Sequence, residues 1–354
     1  MAAENRAGWQ IGRVVETEPV ATGIRRIVVE TGEPRPAAPG SHVKVVVDIG
    51  GRADTRSYSV VSSSGHGRLL TLSVQRAPRS RGGSVFMHAL RAGDPVEMSR
   101  PHQNFPLRVG AGRYVLLAGG VGITAVAEMA RVLRRLKSDY LLVYAGRSRE
   151  HMAYLADLEQ LHGDRIRVHV DGEGTSLDAA ALVDEVAAGG PAELYMCGPI
   201  GLMDAVRRRW RERALPPADL RYETFGNSGW FAPEEFVVSV PRLGIETVVG
   251  AGQSMLDALE SAGAEMMSDC RKGECGLCQV KVLDLQGRVD HRDVFFCDEE
   301  KRDSRKLCAC VSRVIRDSGA GGGPAGEDRL SVPVRPVSPV RPTGERARLT
   351  LDIP

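Results

Sequence analysis

The cysteines are the residues whose type and spacing most clearly imply chemistry. Six of the seven lie between Cys270 and Cys310, and three follow the spacing Cys270-x4-Cys275-x2-Cys278. Thiolates at this spacing hold a plant-type [2Fe–2S] cluster, whereas zinc ligands usually come as two pairs of the C-x2-C kind. Gly273 and Gly276 would let the backbone approach inorganic sulfide. The loop therefore predicts an iron–sulfur centre.

The spacing leaves the fourth thiolate open. Cys308 and Cys310 both follow the loop, and the alternation Cys308-Ala309-Cys310 predicts a strand with both thiols on one face, about 7 Å apart. In an undistorted loop only one of them can bond to iron, so both remain candidates at this point. Cys297 is expected to be a free thiol.

Two short segments in the first hundred residues combine groups that bind anions. Arg56–Ser59 (RSYS) offers a guanidinium, an aromatic face and hydroxyl donors, while Arg81–Ser84 (RGGS) directly precedes an apolar helix. Backbone N–H groups, a hydroxyl and a guanidinium at the start of a helix favour a phosphate. The alternative is purely structural, with RSYS as a packed strand and RGGS as a glycine turn with a serine cap.

A second phosphate site is expected further along the chain. Gly119–Thr124 (GGVGIT) follows a buried strand and opens a helix, so a pyrophosphate could approach the backbone there. Cys197-Gly198-Pro199 also separates a strand from a helix, and a buried structural cysteine is the alternative reading. After the second strand, Arg147-Ser148-Arg149 includes no acidic residue to select a ribose 2′-OH, and its arginines could receive a 2′-phosphate.

Three kinds of sequence pattern must position these residues. Residues 9–107 show short β-type runs broken by turn residues, which predicts a small antiparallel barrel. From Arg113 onward strands and helices alternate, which predicts a parallel sheet covered by helices. After residue 229 a hairpin and a helix precede the cysteine loop, and Arg348–Ile353 predicts a last strand. The Gly- and Pro-rich segment 318–343 is interpreted as an insertion.

Composition excludes several functional classes. The 354 residues include 42% hydrophobic and 26% charged residues, which is ordinary for a globular protein of two or three domains. The net charge of +2 argues against a nucleic-acid-binding protein, which would carry a clear basic excess. Neither a membrane span nor a signal segment is expected, so we expect no membrane partner, a cytoplasmic location and a monomer.

The motifs together resemble the phthalate dioxygenase reductase and vanillate demethylase reductase family over about residues 9–315. The resemblance rests on the R-x-Y-S and R-G-G-S segments, on Cys197-Gly198-Pro199, on Asp290–Asp293 (DHRD) and on Cys310–Arg313 (CVSR). It implies an FMN-binding barrel at 1–108, an NAD(P)H-binding α/β domain at 109–228 and a β-grasp [2Fe–2S] ferredoxin domain at 232–354. The CVSR match also implies that Cys310, rather than Cys308, is the fourth ligand.

The resemblance and the motifs together define the expected site. Ser59, Cys197 and Phe225 are expected to be catalytic. Flavin contacts are expected from Arg56, Ser57, Tyr58, Ser59, Gln75, Arg76, Arg81, Gly82, Gly83, Ser84 and Phe225. Dinucleotide contacts are expected from Gly119, Gly120, Gly122, Thr124, Arg147, Cys197, Gly198 and Pro199. The cluster ligands are expected to be Cys270, Cys275, Cys278 and Cys310.

The function implied is an oxidoreductase that passes electrons from NADH through FMN and the cluster to a separate oxygenase, by family analogy a Rieske non-haem iron enzyme. FMN is expected rather than FAD because no contacts for an adenine and a second phosphate are found. NADPH remains an alternative donor. A cytochrome P450 or another oxygenase is an alternative partner, and a redox-sensing protein with the same centres is an alternative from a different class.

Overall fold

The computed structural model describes residues 8–77, 80, 82–226, 229–316 and 346–353. The Gly- and Pro-rich segment 318–343 therefore lies outside the described residues. The chain divides into two compact units, Met1–Gly198 with Arg209–Glu223, and Pro199–Arg208 with Thr224–Pro354. None of the described helices is both long and apolar enough to span a membrane.

The first unit begins with a closed antiparallel barrel. Its strands are β1 Trp9–Ala21, β2 Ile24–Glu30, β3 Ser41–Ile49, β4 Arg52–Ser64, β5 Leu69–Gln75 and β6 Pro95–Ser99, with the short β7 His102–Gln103 at the rim and α1 Gly83–Ala89 before β6. The strand order is β4-β5-β2-β1-β6-β3, and β3 also pairs with β4, which closes the barrel. Val43, Val45 and Val47 alternate into the core because side chains on a strand point to opposite faces in turn.

The second part of this unit is a parallel α/β sheet, as the alternating pattern predicts. The elements are β8 Tyr114–Gly119, α2 Ile123–Arg135, β9 Tyr140–Gly146, α3 Leu155–His162, β10 Ile166–Val170, α4 Ala179–Ala188, β11 Glu193–Cys197, α5 Ile200–Glu212 and β12 Leu220–Glu223. The part of α5 up to Arg208 belongs to the second unit. The strand order is β10-β9-β8-β11-β12. All five strands are parallel, and the order in which the chain adds strands to the sheet reverses between β8 and β11. Ligands of such sheets bind at the carboxyl ends of the strands beside that point.

The second unit is built on a mixed five-stranded sheet in the order β14-β13-β19-β15-β17. The elements are β13 Phe236–Val240, β14 Ile245–Val249, α6 Met255–Ser261, β15 Gln279–Gln286, β16 Arg288–Asp290, α7 Asp298–Asp303, β17 Lys306–Cys308, β18 Arg313–Ile315 and β19 Ala347–Asp352. The expected hairpin is β13–β14, and the expected last strand is β19, which pairs in parallel with β13. Ser254 caps α6 by accepting the Asp257 N–H at 3.0 Å.

Candidate functional site

The cysteine loop is wrapped so that its backbone N–H groups point at sulfur. The Cys270 Sγ accepts the N–H groups of Lys272, Glu274 and Cys275, each at 3.4 Å. Gly273 and Gly276 have φ values of +78° and +74°, a region that side chains with a Cβ rarely adopt. Together these N–H groups would stabilise the negative charge of a thiolate-bound cluster.

The space around Gly273 leaves no room for a side chain. A Cβ at this position would lie 2.7 Å from a Val311 methyl group and 2.9 Å from the Asp293 Cα. The loop therefore packs its backbone, without side chains, against the segment that carries Cys310. The thiol donor set and this close approach fit a [2Fe–2S] cluster.

The five cysteines near the loop differ in exposure. Cys278, Cys308 and Cys310 are buried, whereas Cys275 is exposed. Hydrogen bonds with the thiols of Cys308 and Cys310 lower the pKa of Cys278 to about 3. The sulfur atoms of both candidate fourth ligands thus lie within hydrogen-bond distance of Cys278.

The expected strand through Cys308, Ala309 and Cys310 is wrong. Strand β17 ends at Cys308, and the chain turns there because the N–H groups of Val311 and Ser312 both return to the Cys308 carbonyl oxygen, at 3.3 and 3.0 Å. The two thiols consequently have different surroundings. The Cys310 sulfur accepts the Gly273 N–H and lies near Cys270, whereas Cys308 lies near Asp293. This arrangement supports Cys310 as the ligand, and the assignment stays a prediction.

Sequence reasoning missed a polar anchor of the cysteine loop. The buried Thr224 donates its N–H to the Glu274 carboxylate at 2.7 Å and its hydroxyl to the Lys272 carbonyl oxygen at 2.7 Å. Glu274 directly precedes Cys275, and Thr224 directly precedes Phe225, the aromatic residue expected at the flavin. Phe225 itself is half-buried in the second unit. No sequence signal indicates this anchor because its residues are fifty positions apart.

The expected phosphate site brings Arg56 to the start of α1. A Cβ at Gly83 would lie 2.8 Å from Arg56 Cγ and 3.2 Å from its Nε, so the glycine allows the guanidinium to cross the first turn. The same guanidinium pairs with Asp54 at 2.7 Å. Ser84 Oγ accepts the Ala77 N–H at 3.2 Å and donates to Ser80 Oγ at 2.8 Å. Arg81 lies outside the described residues.

These contacts fit the monophosphate of FMN. Gly82 has φ +96°, and a Cβ there would lie 2.6 Å from Ile49, so the backbone is closely packed against β3 as the turn requires. Burial raises the pKa of Tyr58, which keeps this phenol neutral and suited to lie beside an aromatic ring. Ser57 and Arg76 are exposed and Gln75 is half-buried.

Two of the three expected catalytic residues come together through a residue that the sequence did not indicate. Ser59, on β4, donates its hydroxyl to the carboxylate of Glu223 at 3.4 Å, and both side chains are buried. Glu223 ends β12, where it lies in register with Cys197 at the end of β11. Because Ser59 and Glu223 are 164 positions apart, only the fold reveals the contact.

The expected dinucleotide residues surround the reversal point of the parallel sheet. Cys197 pairs in register with Ala118 on β8, and a Cβ at Gly122 would lie 2.1 Å from the Cys197 carbonyl oxygen. Thr124 Oγ donates to the Val121 carbonyl oxygen at 2.9 Å, which closes the turn into α2. The remaining expected residues, Gly119, Gly120, Gly198 and Pro199, stand at the same strand ends, and Arg147 is exposed after β9. The bare backbone at this crevice fits a pyrophosphate.

Comparison with known proteins agrees with these sites. Residues 239–314 match the 2Fe-2S iron-sulfur cluster binding domain, and residues 116–208 match the oxidoreductase NAD-binding domain. The phenoxybenzoate dioxygenase subunit beta of Ectopseudomonas oleovorans is 36% identical over 77% of this chain and 83% of its own length. The solved structure of phthalate dioxygenase reductase, described as modular for electron transfer from pyridine nucleotides to [2Fe–2S], shares 27% identity with a TM-score of 0.68 and covers 98% of this chain and 99% of its own.

The chain belongs to the phthalate dioxygenase reductase family. It is an oxidoreductase of the oxygenase-reductase type that uses NADH, FMN and a [2Fe–2S] cluster, and its partner is an oxygenase. The expected fold class is confirmed as well. A self-sufficient cytochrome P450 monooxygenase also resembles the chain, with 30% identity and a TM-score of 0.59; the match covers 97% of this chain and 41% of that protein.

Proposed function

We propose that this reductase delivers its electrons to a Rieske-type non-haem iron oxygenase. The observation that carries the proposal is the near-complete match to phthalate dioxygenase reductase, which spans 99% of that protein, together with the identity to a dioxygenase subunit. The family resemblance in the CVSR and DHRD segments points to the same class of partner. We also propose a cytoplasmic location, where NADH is available and cysteine thiols stay reduced.

Sheet membership supports a division of the chain into domains at 1–108, 109–228 and 232–354. In the barrel, Arg56 with Gly82, Gly83 and Ser84 would hold the FMN phosphate. The flavin supplies the step between a two-electron hydride donor and a one-electron acceptor. The chain's own contribution is to bind and orient the reactants and to exclude water.

At the reacting centre we assign a positioning role to the contact between Ser59 and Glu223. The carboxylate accepts the hydroxyl hydrogen, so it fixes the rotamer of Ser59 in a buried site. Cys197, in register with Glu223, would lie beside the nicotinamide. The bare backbone of Gly122 allows the two strand ends to approach closely enough to form one crevice.

At the cluster, Cys270, Cys275, Cys278 and Cys310 would supply the four thiolates. The backbone N–H groups that converge on Cys270 Sγ would stabilise the anionic centre. The anchor from Thr224 to Glu274 would fix the loop against the segment that carries Phe225.

The partner class can be tested by reduction of candidate oxygenases. The reductase, NADH and a purified Rieske oxygenase are mixed without oxygen, and the Rieske centre is followed by EPR. Catalytic amounts of reductase should reduce that centre fully, and a Cys310→Ser variant should not. If the centre stays oxidised with several Rieske oxygenases while the reductase still reduces ferricyanide, the partner assignment is wrong.

A haem-containing oxygenase of the cytochrome P450 type is a second candidate partner. The observation that favours it is the 30% identity to the self-sufficient cytochrome P450 over 97% of this chain. The same anaerobic assay distinguishes the two, because a reduced P450 forms a visible carbon monoxide complex. NADH-dependent formation of that complex with a P450, but not reduction of Rieske centres, would favour this candidate.

A further inference from the structure

The selection between NADH and NADPH depends on charges near the ribose 2′ position. In sheets of this kind an acidic residue that follows the second strand binds the 2′-OH, whereas an arginine there accommodates a 2′-phosphate. Here the second strand is β9, and Arg147 and Arg149 follow it, with Glu150 next to Arg149 in the sequence. From the sequence alone the two arginines could receive a 2′-phosphate.

The fold changes the electrostatics of this segment. The Arg149 guanidinium is bound by Glu173 at two points, Nε to Oε1 at 2.8 Å and Nη2 to Oε2 at 3.3 Å. Its third nitrogen, Nη1, lies 3.3 Å from a Glu159 carboxylate oxygen. All three hydrogen-bonding nitrogens of Arg149 are therefore already paired with carboxylates.

Glu173 reaches this position because neighbouring strands end side by side. Strand β10 pairs in parallel with β9, and Val170 lies in register with Gly146 at the carboxyl ends. Glu173 follows β10 by three residues, and the two loops are joined where the Gly172 N–H donates to the Arg147 carbonyl oxygen at 2.9 Å. An acidic residue from the loop after the third strand thus lies against Arg149 from the loop after the second strand.

We propose that Glu173, assisted by Glu159, makes this site select NADH over NADPH. The two carboxylates occupy the guanidinium that a 2′-phosphate would need and repel its negative charge. A carboxylate oxygen has more than one lone pair, so Glu173 can still accept a ribose 2′-OH while it holds Arg149. The inference rests on the oxidation of a nicotinamide dinucleotide by this chain.

The other charged groups of this edge do not reverse the balance. Arg147, Glu150 and Asp171 are all exposed on the same two loops, so they add one positive and two negative charges. Arg149, Glu159 and Glu173 are about half exposed, with side-chain exposures of 50%, 43% and 46%. In such a mostly aqueous setting, removal of one unit charge a few ångströms from a phosphate dianion changes affinity by about tenfold.

The test compares NADH and NADPH as donors for the full-length holoprotein, with ferricyanide as the acceptor. The wild type should have a kcat/KM for NADPH that is well below the value for NADH. Glu173→Gln should raise kcat/KM for NADPH by about tenfold, and the double variant Glu159→Gln/Glu173→Gln should raise it further. The value for NADH should fall by about threefold or more, because the neutral glutamine oxygen is a weaker acceptor for the 2′-OH than a carboxylate.

Glu185→Gln is the matched control. Glu185, on α4, makes a comparable exposed pair with Arg167 through two hydrogen bonds, at 2.7 and 2.9 Å. Arg167 lies in the first half of β10, away from the carboxyl ends of the strands. This variant should leave the ratio of the two donors unchanged. High salt should narrow the wild-type preference, because screening weakens a repulsion from exposed carboxylates.

The outcomes separate the possible failures. Equal use of both donors by the wild type, or an NADPH value that does not rise in the double variant, would overturn the inference and leave the reductase function intact. A holoprotein that oxidises neither donor would overturn the reductase function itself. A preference for NADH that strengthens in high salt would also contradict the repulsion argument.

Discussion

Substitution of Gly122 by alanine is the most direct test of the dinucleotide crevice. Gly122 has φ −59° and ψ −17°, which any residue adopts, so alanine brings no backbone strain. The added Cβ, however, would lie 2.1 Å from the Cys197 carbonyl oxygen, 2.5 Å from the carbonyl carbon and 3.0 Å from the Gly198 nitrogen.

All three contacts are to backbone, so no side chain can rotate away. Since real Cβ atoms essentially never approach closer than 3.0 Å, β8 and β11 must separate at their ends by nearly 1 Å. A misplacement of about 1 Å can reduce the rate of a positioned reaction by about a hundredfold. We therefore expect Gly122→Ala to lower kcat/KM for NADH by about a hundredfold and the free energy of unfolding by about 1–3 kcal/mol.

The assay is anaerobic stopped-flow reduction of the flavin by NADH, with a denaturant titration of the same preparation. The flavin and cluster absorption should be unchanged because neither site contains Gly122. Gly112→Ala is the control, since nothing lies within 4 Å of a Cβ at that position. If Gly122→Ala reduces the flavin at the wild-type rate, the strand ends do not form the dinucleotide crevice.

Three further predictions concern the cluster, the buried carboxylate and a buried histidine. Cys310→Ser should prevent normal cluster assembly, as followed by EPR, but leave the reduction of the flavin by NADH unchanged. Cys308→Ser should keep the cluster. The reverse result for the two variants would make Cys308 the ligand. Glu223→Ala should slow flavin reduction by about tenfold or more without loss of bound FMN, because the Ser59 hydroxyl loses its acceptor; an unchanged rate constant would exclude the positioning role. Burial lowers the pKa of His162 from 6.5 to about 4, so the unfolded chain takes up the proton first and stability falls as the pH drops below 6.5. Between pH 7 and pH 5 the loss should be roughly 2 kcal/mol in urea titrations, and it should shrink in His162→Gln if the histidine causes it.

Much of the fold followed from local patterns. The change from period-two runs to alternating strands and helices at Arg113 separates the barrel from the parallel sheet, and both are present. The prediction of a strand through Cys308, Ala309 and Cys310 is wrong, however. The alternation of two cysteines around Ala309 favours a strand, but the chain turns where two N–H groups return to the Cys308 carbonyl oxygen.

The sequence by itself determined the chemistry that depends on short spacing. Cys270, Cys275 and Cys278 are so close along the chain that the loop between them has few ways to fold around a cluster. The same holds for Gly82 and Gly83 at the start of α1 and for Gly122 before α2, where the absence of a Cβ is the functional property. Such features act within one turn or one loop, so their meaning does not depend on distant residues.

Only the tertiary structure decided the contacts that cross from one strand end to another. The Ser59–Glu223 pair joins residues 164 positions apart, and the Arg149–Glu173 pair joins residues 24 positions apart. The Arg149–Glu173 contact arises because the parallel strands β9 and β10 end at the same edge of one sheet, and their register sets which side chains meet. The Ser59–Glu223 contact instead joins β4 of the barrel to the end of β12 in the parallel sheet, where the register of β11 with β12 places Glu223 beside Cys197. That register is fixed by the burial of whole strands, a property of the folded sheet that no single segment of the sequence encodes.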